Sequence, residues 1–139
     1  MKLAYIDSCV WIARVEGLSE YKNIIDANLQ TLAEEGWMFC TSDAVALEVL
    51  TKPLKENQDN LAQIYRGLFQ KMRTIKIFPA VFKNALLLTT AENLKGMDAI
   101  HVAIAEHNNC QLFVTSDPHF RNLKAIIPKL IDLSKNSAQ

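Results

Sequence analysis

LAYIDSCV, residues 3–10, sets the frame for the whole chain. Four apolar residues in a row suit a strand buried on both faces, and Asp7 and Ser8 directly after them are good helix N-caps. The stretch reads as a buried strand feeding straight into a helix, the opening of a parallel sheet with crossover helices. The same arrangement returns near the end of the chain, where residues 111–116, QLFVTS, run apolar up to Asp117 and Pro118.

Between these two strands the pattern alternates. A helix is expected over residues 9–14, ending near Gly17, and a second over 19–35, where Tyr21, Ile24, Ile25, Leu29 and Leu32 fall at helical spacing before Gly36. WMFC, residues 37–40, is another buried strand, and Thr41, Ser42 and Asp43 offer caps to a helix that Pro53 should stop. After a polar linker at 55–60, the stripe Leu61, Ile64, Leu68, Met72 marks a helix whose apolar side is either core or a dimer face. TIKIF, residues 74–78, alternates as a strand; residues 81–94 and 97–107 are helical around a break at Gly96; a last strand is expected over 129–133. Strands alternating with helices point to one three-layer α/β/α domain over residues 1–133, built on a doubly wound parallel sheet, with a frayed tail at 134–139.

Composition agrees with one soluble core. The chain has 139 residues, half of them apolar, with zero formal net charge, which argues against both disorder and a strongly basic nucleic-acid module. Cys9, Cys40 and Cys110 lie far apart with no C-x-x-C spacing, so zinc is not expected, and Cys9 and Cys40 read as small buried residues of a cytoplasmic protein. The apolar N-terminus is broken by Asp7 and has no small-residue cleavage site, so neither a signal peptide nor a membrane span is expected there.

The chemistry lies in four acids. Asp7 and Asp117 each follow a strand, and the crevice of a doubly wound sheet lies beyond the carboxyl ends of its strands. Glu48 in AVALEVL and Asp98 in MDAIHVAIA are each the lone charge of an apolar helical stretch that starts from the same rim. Singly, each has an ordinary explanation: an N-cap for Asp7, a helix-dipole partner for Asp98, a turn residue for Asp117, and Lys52 as a partner for Glu48. Together they make a cluster whose repulsion a divalent cation would relieve, and all-oxygen donors suit Mg²⁺ or Mn²⁺. Such ions promote phosphodiester hydrolysis. Ser8 and Thr115 could orient the carboxylates. His101, one turn from Asp98, could hold a ligand or could be a packed histidine bonded to backbone. Arg14, Lys52, Arg66, Arg73 and Arg121 are candidates for an RNA path or plain surface charges.

Other classes fit less well. A phosphatase with Asp7 as nucleophile wants a second Asp where Cys9 stands, and a receiver domain wants an acid after the third strand, where Pro79 and Ala80 follow TIKIF. A non-catalytic interaction module would have no reason to keep four acids on one rim.

At these residues the chain resembles the PIN domains, and among them the VapC toxins of bacterial VapBC toxin–antitoxin pairs. YIDSCVWI, AVALEVL, GMDAIHVAIA and FVTSDPHF carry the resemblance, in order and over nearly the whole chain. It implies a magnesium-dependent ribonuclease directed at single-stranded RNA, leaving a 5′-phosphate, commonly a homodimer and held by a small antitoxin. A free-standing RNA-processing nuclease is the alternative within the same family. His119 departs from the pattern, because many relatives carry another acid at that position.

Overall fold

In the computed structural model, which describes residues 1–134, the chain enters its sheet at the centre. β1 (Lys2–Ile6) pairs in parallel with β2 (Trp37–Thr41) on one side and with β4 (Leu112–Thr115) on the other. A short strand β3 (Arg73–Thr74) lies outside β2, and β5 (Ile127–Leu130) lies outside β4, so the order is β3-β2-β1-β4-β5, all parallel. The helices α1 (Ser8–Glu16), α2 (Ser19–Glu34), α3 (Asp43–Lys55), α4 (Asp59–Gln70), α5 (Ala80–Ala91) and α6 (Gly96–His107) flank the sheet. This is the doubly wound three-layer α/β domain that the alternation of the sequence predicts. The order reverses between β1 and β4, so the switch point opens at the carboxyl ends of those two strands. Among the described residues, no helix is long and apolar enough to cross a membrane.

The central strands are apolar on both faces because helices cover both. Ala4, Tyr5, Ile6, Phe113 and Val114 have no exposed surface. Tyr5 stacks on Phe113 with ring centroids 5.7 Å apart, and Phe113 meets Phe120 of a short 3₁₀ turn (Pro118–Phe120) at 4.9 Å. Aromatic pairs of this geometry add about 0.5–1.5 kcal/mol beyond simple burial.

Several boundaries differ from expectation. Pro53 does not end α3: it sits buried in the last turn, and the helix runs on to Lys55. The stop is Asn57, at φ 54°, with Gln58 N–H donating to Pro53 O at 2.8 Å and Asn57 N–H to Leu54 O. That is a Schellman closure with asparagine in the left-handed position usually given to glycine. Asn93 and Asn109 close α5 and α6 in the same way, through Leu94 N–H to Thr89 O and Cys110 N–H to Ala105 O.

The strand expected over 74–78 shrinks to Arg73–Thr74. Ile75 N–H makes one further bond to Thr41 O, but β2 then turns into α3 and residues 76–78 have no ladder to join. The strand expected over 129–133 is Ile127–Leu130, set by its register against Leu112–Thr115. Pro128 is tolerated there because β5 is an edge strand. The stripe on α4 is core, since Leu61, Leu68 and Met72 pack against it and only Ile64 faces solvent. The tail expected to fray lies, beyond Ser134, outside the described residues.

Candidate functional site

Asp7 stands at the first position after β1 and caps α1, with Oδ1 accepting Ser8 N–H at 2.8 Å. Its own N–H donates to Val114 O at 2.8 Å, which fastens the end of β1 to the end of β4. Asp117 follows β4 two residues after Thr115. The Thr115 hydroxyl joins the two acids: it donates to Asp7 Oδ2 at 2.9 Å and accepts Asp117 N–H at 3.0 Å. Thr115 thus links the two acids at the switch point between β1 and β4.

α3 and α6 start from the same rim and bring the other two acids. Ser8 Oγ donates to Glu48 Oε1 at 2.6 Å, so Ser8 bridges Asp7 and Glu48 as Thr115 bridges Asp7 and Asp117. His101 Nε2 also bonds Glu48 Oε1. The histidine is not bonded to backbone, and Lys52 is not the partner of Glu48. His101 Nδ1 instead meets Tyr5 Oη at 2.7 Å, and Tyr5 Oη meets Ser42 Oγ at 2.7 Å. One assignment satisfies every group: Ser42 donates to Tyr5, Tyr5 to His101 Nδ1, and His101 Nε2–H to the Glu48 carboxylate. Tyr5 and Ser42 belong to this chain of bonds although the sequence reading singled out neither.

The acids do not share one environment. Burial raises the Asp7 carboxyl above the usual range, against the opposing pull of His101 and of its hydrogen bonds from Cys9, Thr115 and Ser8. Asp98, in the first turn of α6, is raised by burial first and then by the charges of Asp7 and Asp117, with Glu48 adding to them. Burial would also raise Glu48, but hydrogen bonds from His101 and Ser8 outweigh it and hold the carboxyl below its usual value.

Cys9 is not fully buried as expected. It lies in the first turn of α1, half-buried, with its thiol donating to Asp7 Oδ2 at 3.2 Å. Burial and the Asp7 charge push that thiol up to about 11, so it stays a neutral donor rather than a thiolate. Of the basic candidates, Arg14 is tied to Asp26 at 2.6 Å.

Among the described residues, no three His, Cys, Asp or Glu side chains are grouped so as to hold a metal ion between them. The donor set nonetheless suits Mg²⁺ or Mn²⁺. These ions take oxygen ligands, keep several waters, and are usually held by one or two carboxylates together with substrate phosphates. A carboxyl such as Asp98, which burial and the charges of Asp7, Asp117 and Glu48 all raise, is the environment such an ion relieves.

Comparison with known proteins follows the geometry. A family model described as the PIN domain matches residues 4–126. No curated protein matches the sequence. Among solved structures, the chain is similar to VapBC2 from Rickettsia felis bound to a promoter DNA fragment, with a TM-score of 0.77 at 14% identity over 94% of this chain and 99% of that one. It is also similar to a toxin–antitoxin complex from Klebsiella pneumoniae, with a TM-score of 0.66 at 22% identity over 89% and 95%. A third neighbour is VapC20 of Mycobacterium tuberculosis, a toxin cleaving the Sarcin-Ricin loop, with a TM-score of 0.63 at 14% identity over 90% and 99%. At these identities the likeness is one of fold.

Proposed function

The chain belongs to the PIN-domain family, whose model covers residues 4–126, and from that premise we propose that it is a Mg²⁺- or Mn²⁺-dependent endoribonuclease. The reading is supported by one observation: at the carboxyl ends of β1 and β4 the Thr115 hydroxyl bridges Asp7 and Asp117, while Ser8 bridges Asp7 and Glu48. The substrate is single-stranded RNA, cut to leave a 5′-phosphate. When bound, Mg²⁺ or Mn²⁺ supplies an activated water and positive charge against the phosphate. Asp7, Glu48, Asp98 and Asp117 are the residues that would hold the ion and its waters. Ser8 and Thr115 fix the carboxylates of Asp7 and Glu48 by donating to them, and His101 fixes Glu48 from the other side.

The likeness to toxin–antitoxin complexes supports a toxin held by a small antitoxin protein. A basic side chain from that partner could grip two carboxylates of the rim at once. The active state is a homodimer. Its face is not the α4 stripe but an apolar surface on α3, α5 and α6, where Leu47 is 66% exposed, Phe82 59%, Leu86 72% and Met97 38%. A hollow of about 270 Å³ lined by Leu47, Ile77, Phe82, Met97 and Ile100 lies within it. An apolar surface of this extent on a monomer marks an interaction site.

The test is incubation of the purified chain with single-stranded RNA in Mg²⁺ and in EDTA, with the product ends mapped. Cutting that needs Mg²⁺ and leaves 5′-phosphates is expected; no cutting, or cutting that survives EDTA, sinks the reading. A small reading frame just upstream encoding a DNA-binding protein would mark the toxin; its absence would favour a free-standing RNA-processing nuclease.

A further inference from the structure

Beside the four acids lies a hollow whose lining is only partly acidic. It encloses about 370 Å³ between Asn93, Leu94, Lys95, Asp98, Asp117 and His119. That volume falls within the range of about 300–1,000 Å³ typical of small-ligand sites and is enough for one nucleotide. Asp98 and Asp117 are site acids. The rest of the lining brings a cation from Lys95 and the side chains of Asn93 and His119, which can exchange hydrogen bonds.

His119 is 83% exposed, yet its ring is tethered. Its backbone N–H donates to Asp117 Oδ1 at 2.9 Å, and ring Nδ1 bonds the same oxygen at 2.7 Å. A carboxylate oxygen accepts, so Nδ1–H is occupied by Asp117 and Nε2, on the far side of the ring, is held in a fixed direction. A phosphodiester strand laid across this rim offers phosphate oxygens, sugar atoms and base edges. Of these, the ribose 2′-hydroxyl is the backbone donor that RNA has and DNA lacks. Lys95, a compact point charge, suits a phosphate oxygen and is indifferent to the sugar.

We propose that this hollow is a ribose-selecting subsite, in which Lys95 holds a backbone phosphate and His119 Nε2 exchanges a hydrogen bond with the 2′-hydroxyl of a nucleotide beside the scissile bond. The inference rests on the ribonuclease reading above and deepens it, since it assigns the choice of RNA over DNA to one side chain.

The experiment compares two strands that differ only at the sugar, fluorescein-labelled oligo(rU) and oligo(dU). Binding is followed by fluorescence anisotropy in Mg²⁺. The Asp98→Asn chain serves as the background, so that strands are held without being cut. This background should bind oligo(rU) roughly tenfold more tightly than oligo(dU), the worth of one good hydrogen bond. Adding His119→Ala should lower the oligo(rU) affinity to the oligo(dU) level and leave oligo(dU) unmoved. His119→Gln, whose amide oxygen can accept, should restore part of the difference. Lys95→Ala should weaken both strands by the same factor. Equal binding of the two strands in the background, or an equal loss on both when His119 is replaced, overturns the proposal. Cleavage of single-stranded RNA by the unsubstituted chain is measured alongside. If cleavage fails, the ribonuclease reading falls and takes the subsite with it; if cleavage holds without sugar discrimination, the subsite alone falls.

Discussion

Tyr5→Phe removes a single oxygen from the centre of the molecule, and the structure fixes what that oxygen does. The Tyr5 hydroxyl bonds Ser42 Oγ and His101 Nδ1, both at 2.7 Å. Tyr5 has no exposed surface, and Ser42 and His101 are each 1% exposed, so water cannot replace the lost partner. Phenylalanine keeps the stacking on Phe113 and leaves no cavity beyond the oxygen itself. The loss is then one net hydrogen bond of about 0.5–1.5 kcal/mol and a stranded polar atom on His101 at about 1–3 kcal/mol, with Ser42 free to turn. A total of about 2–4 kcal/mol follows. Unfolding entropy of roughly 2.1 cal/mol/K per residue over 139 residues turns this into a fall in Tm of roughly 7–14 °C. Calorimetry of the metal-free protein measures it. A double-mutant cycle with His101→Leu adds a sharper criterion, because two residues of one chain of bonds must couple. A Tm within about 2 °C of the parent, or strict additivity in the cycle, refutes the assignment of these bonds.

Asp98→Asn should abolish cleavage while leaving the metal-free fold as stable as before or slightly more so. The folded protein raises this carboxyl, so its contribution to stability is full below the unfolded value of about 3.9 and drains away as pH rises through the folded one. In EDTA the parent should therefore lose Tm on going up from about pH 4 more steeply than Asp98→Asn, and parallel curves would contradict this. Mg²⁺ or Mn²⁺ at a hundredfold excess over Kd should add about 2.7 kcal/mol, roughly 9 °C, with zinc doing no better. Binding should also release protons, because Asp7 and Asp98 must ionise fully to take the ion; calorimetric titration in two buffers of different ionisation enthalpy reads the release, and none at about pH 5 would count against it. Leu47→Glu or Phe82→Glu should give a monomer in sedimentation at micromolar concentration, whereas Ile64→Glu should not. A dimer that survives both of the first two substitutions moves the interface elsewhere.

The architecture was legible because two apolar runs, residues 3–6 and 112–115, each end at a polar cap, and because lone charges in AVALEVL and MDAIHVAIA stand out against their surroundings. Those signals are local. What the sequence hid is non-local: Tyr5 and His101 are 96 positions apart, and nothing in the periodicity of either segment says that a strand aromatic and a helix histidine will meet. The helix stops were misjudged for a different reason. Asparagine at 57, 93 and 109 adopts the left-handed conformation at some steric disadvantage to glycine, so it passes for an ordinary polar residue until the backbone is seen. The edge strands were misplaced because their length is set by the neighbour's register rather than by their own composition.

The wiring also explains why four acids on one rim need not be equivalent. A metal site made only of mutually repelling carboxylates would hold protons in place of the ion at mildly acid pH. Here Glu48 differs, since donors from Ser8 and His101 hold its carboxyl below the usual value against the opposing effect of burial. Both donors converge on Oε1, which leaves Oε2 as the oxygen with capacity to spare. Asp7 and Asp98 lie on the other side of the balance, raised by burial and, for Asp98, by their shared field. One acid is thus prepared in advance and two are left under a pressure that only positive charge removes. The buried Ser42–Tyr5–His101 relay stands behind Glu48, joining the α3 N-cap and α6 to the central strand through Tyr5.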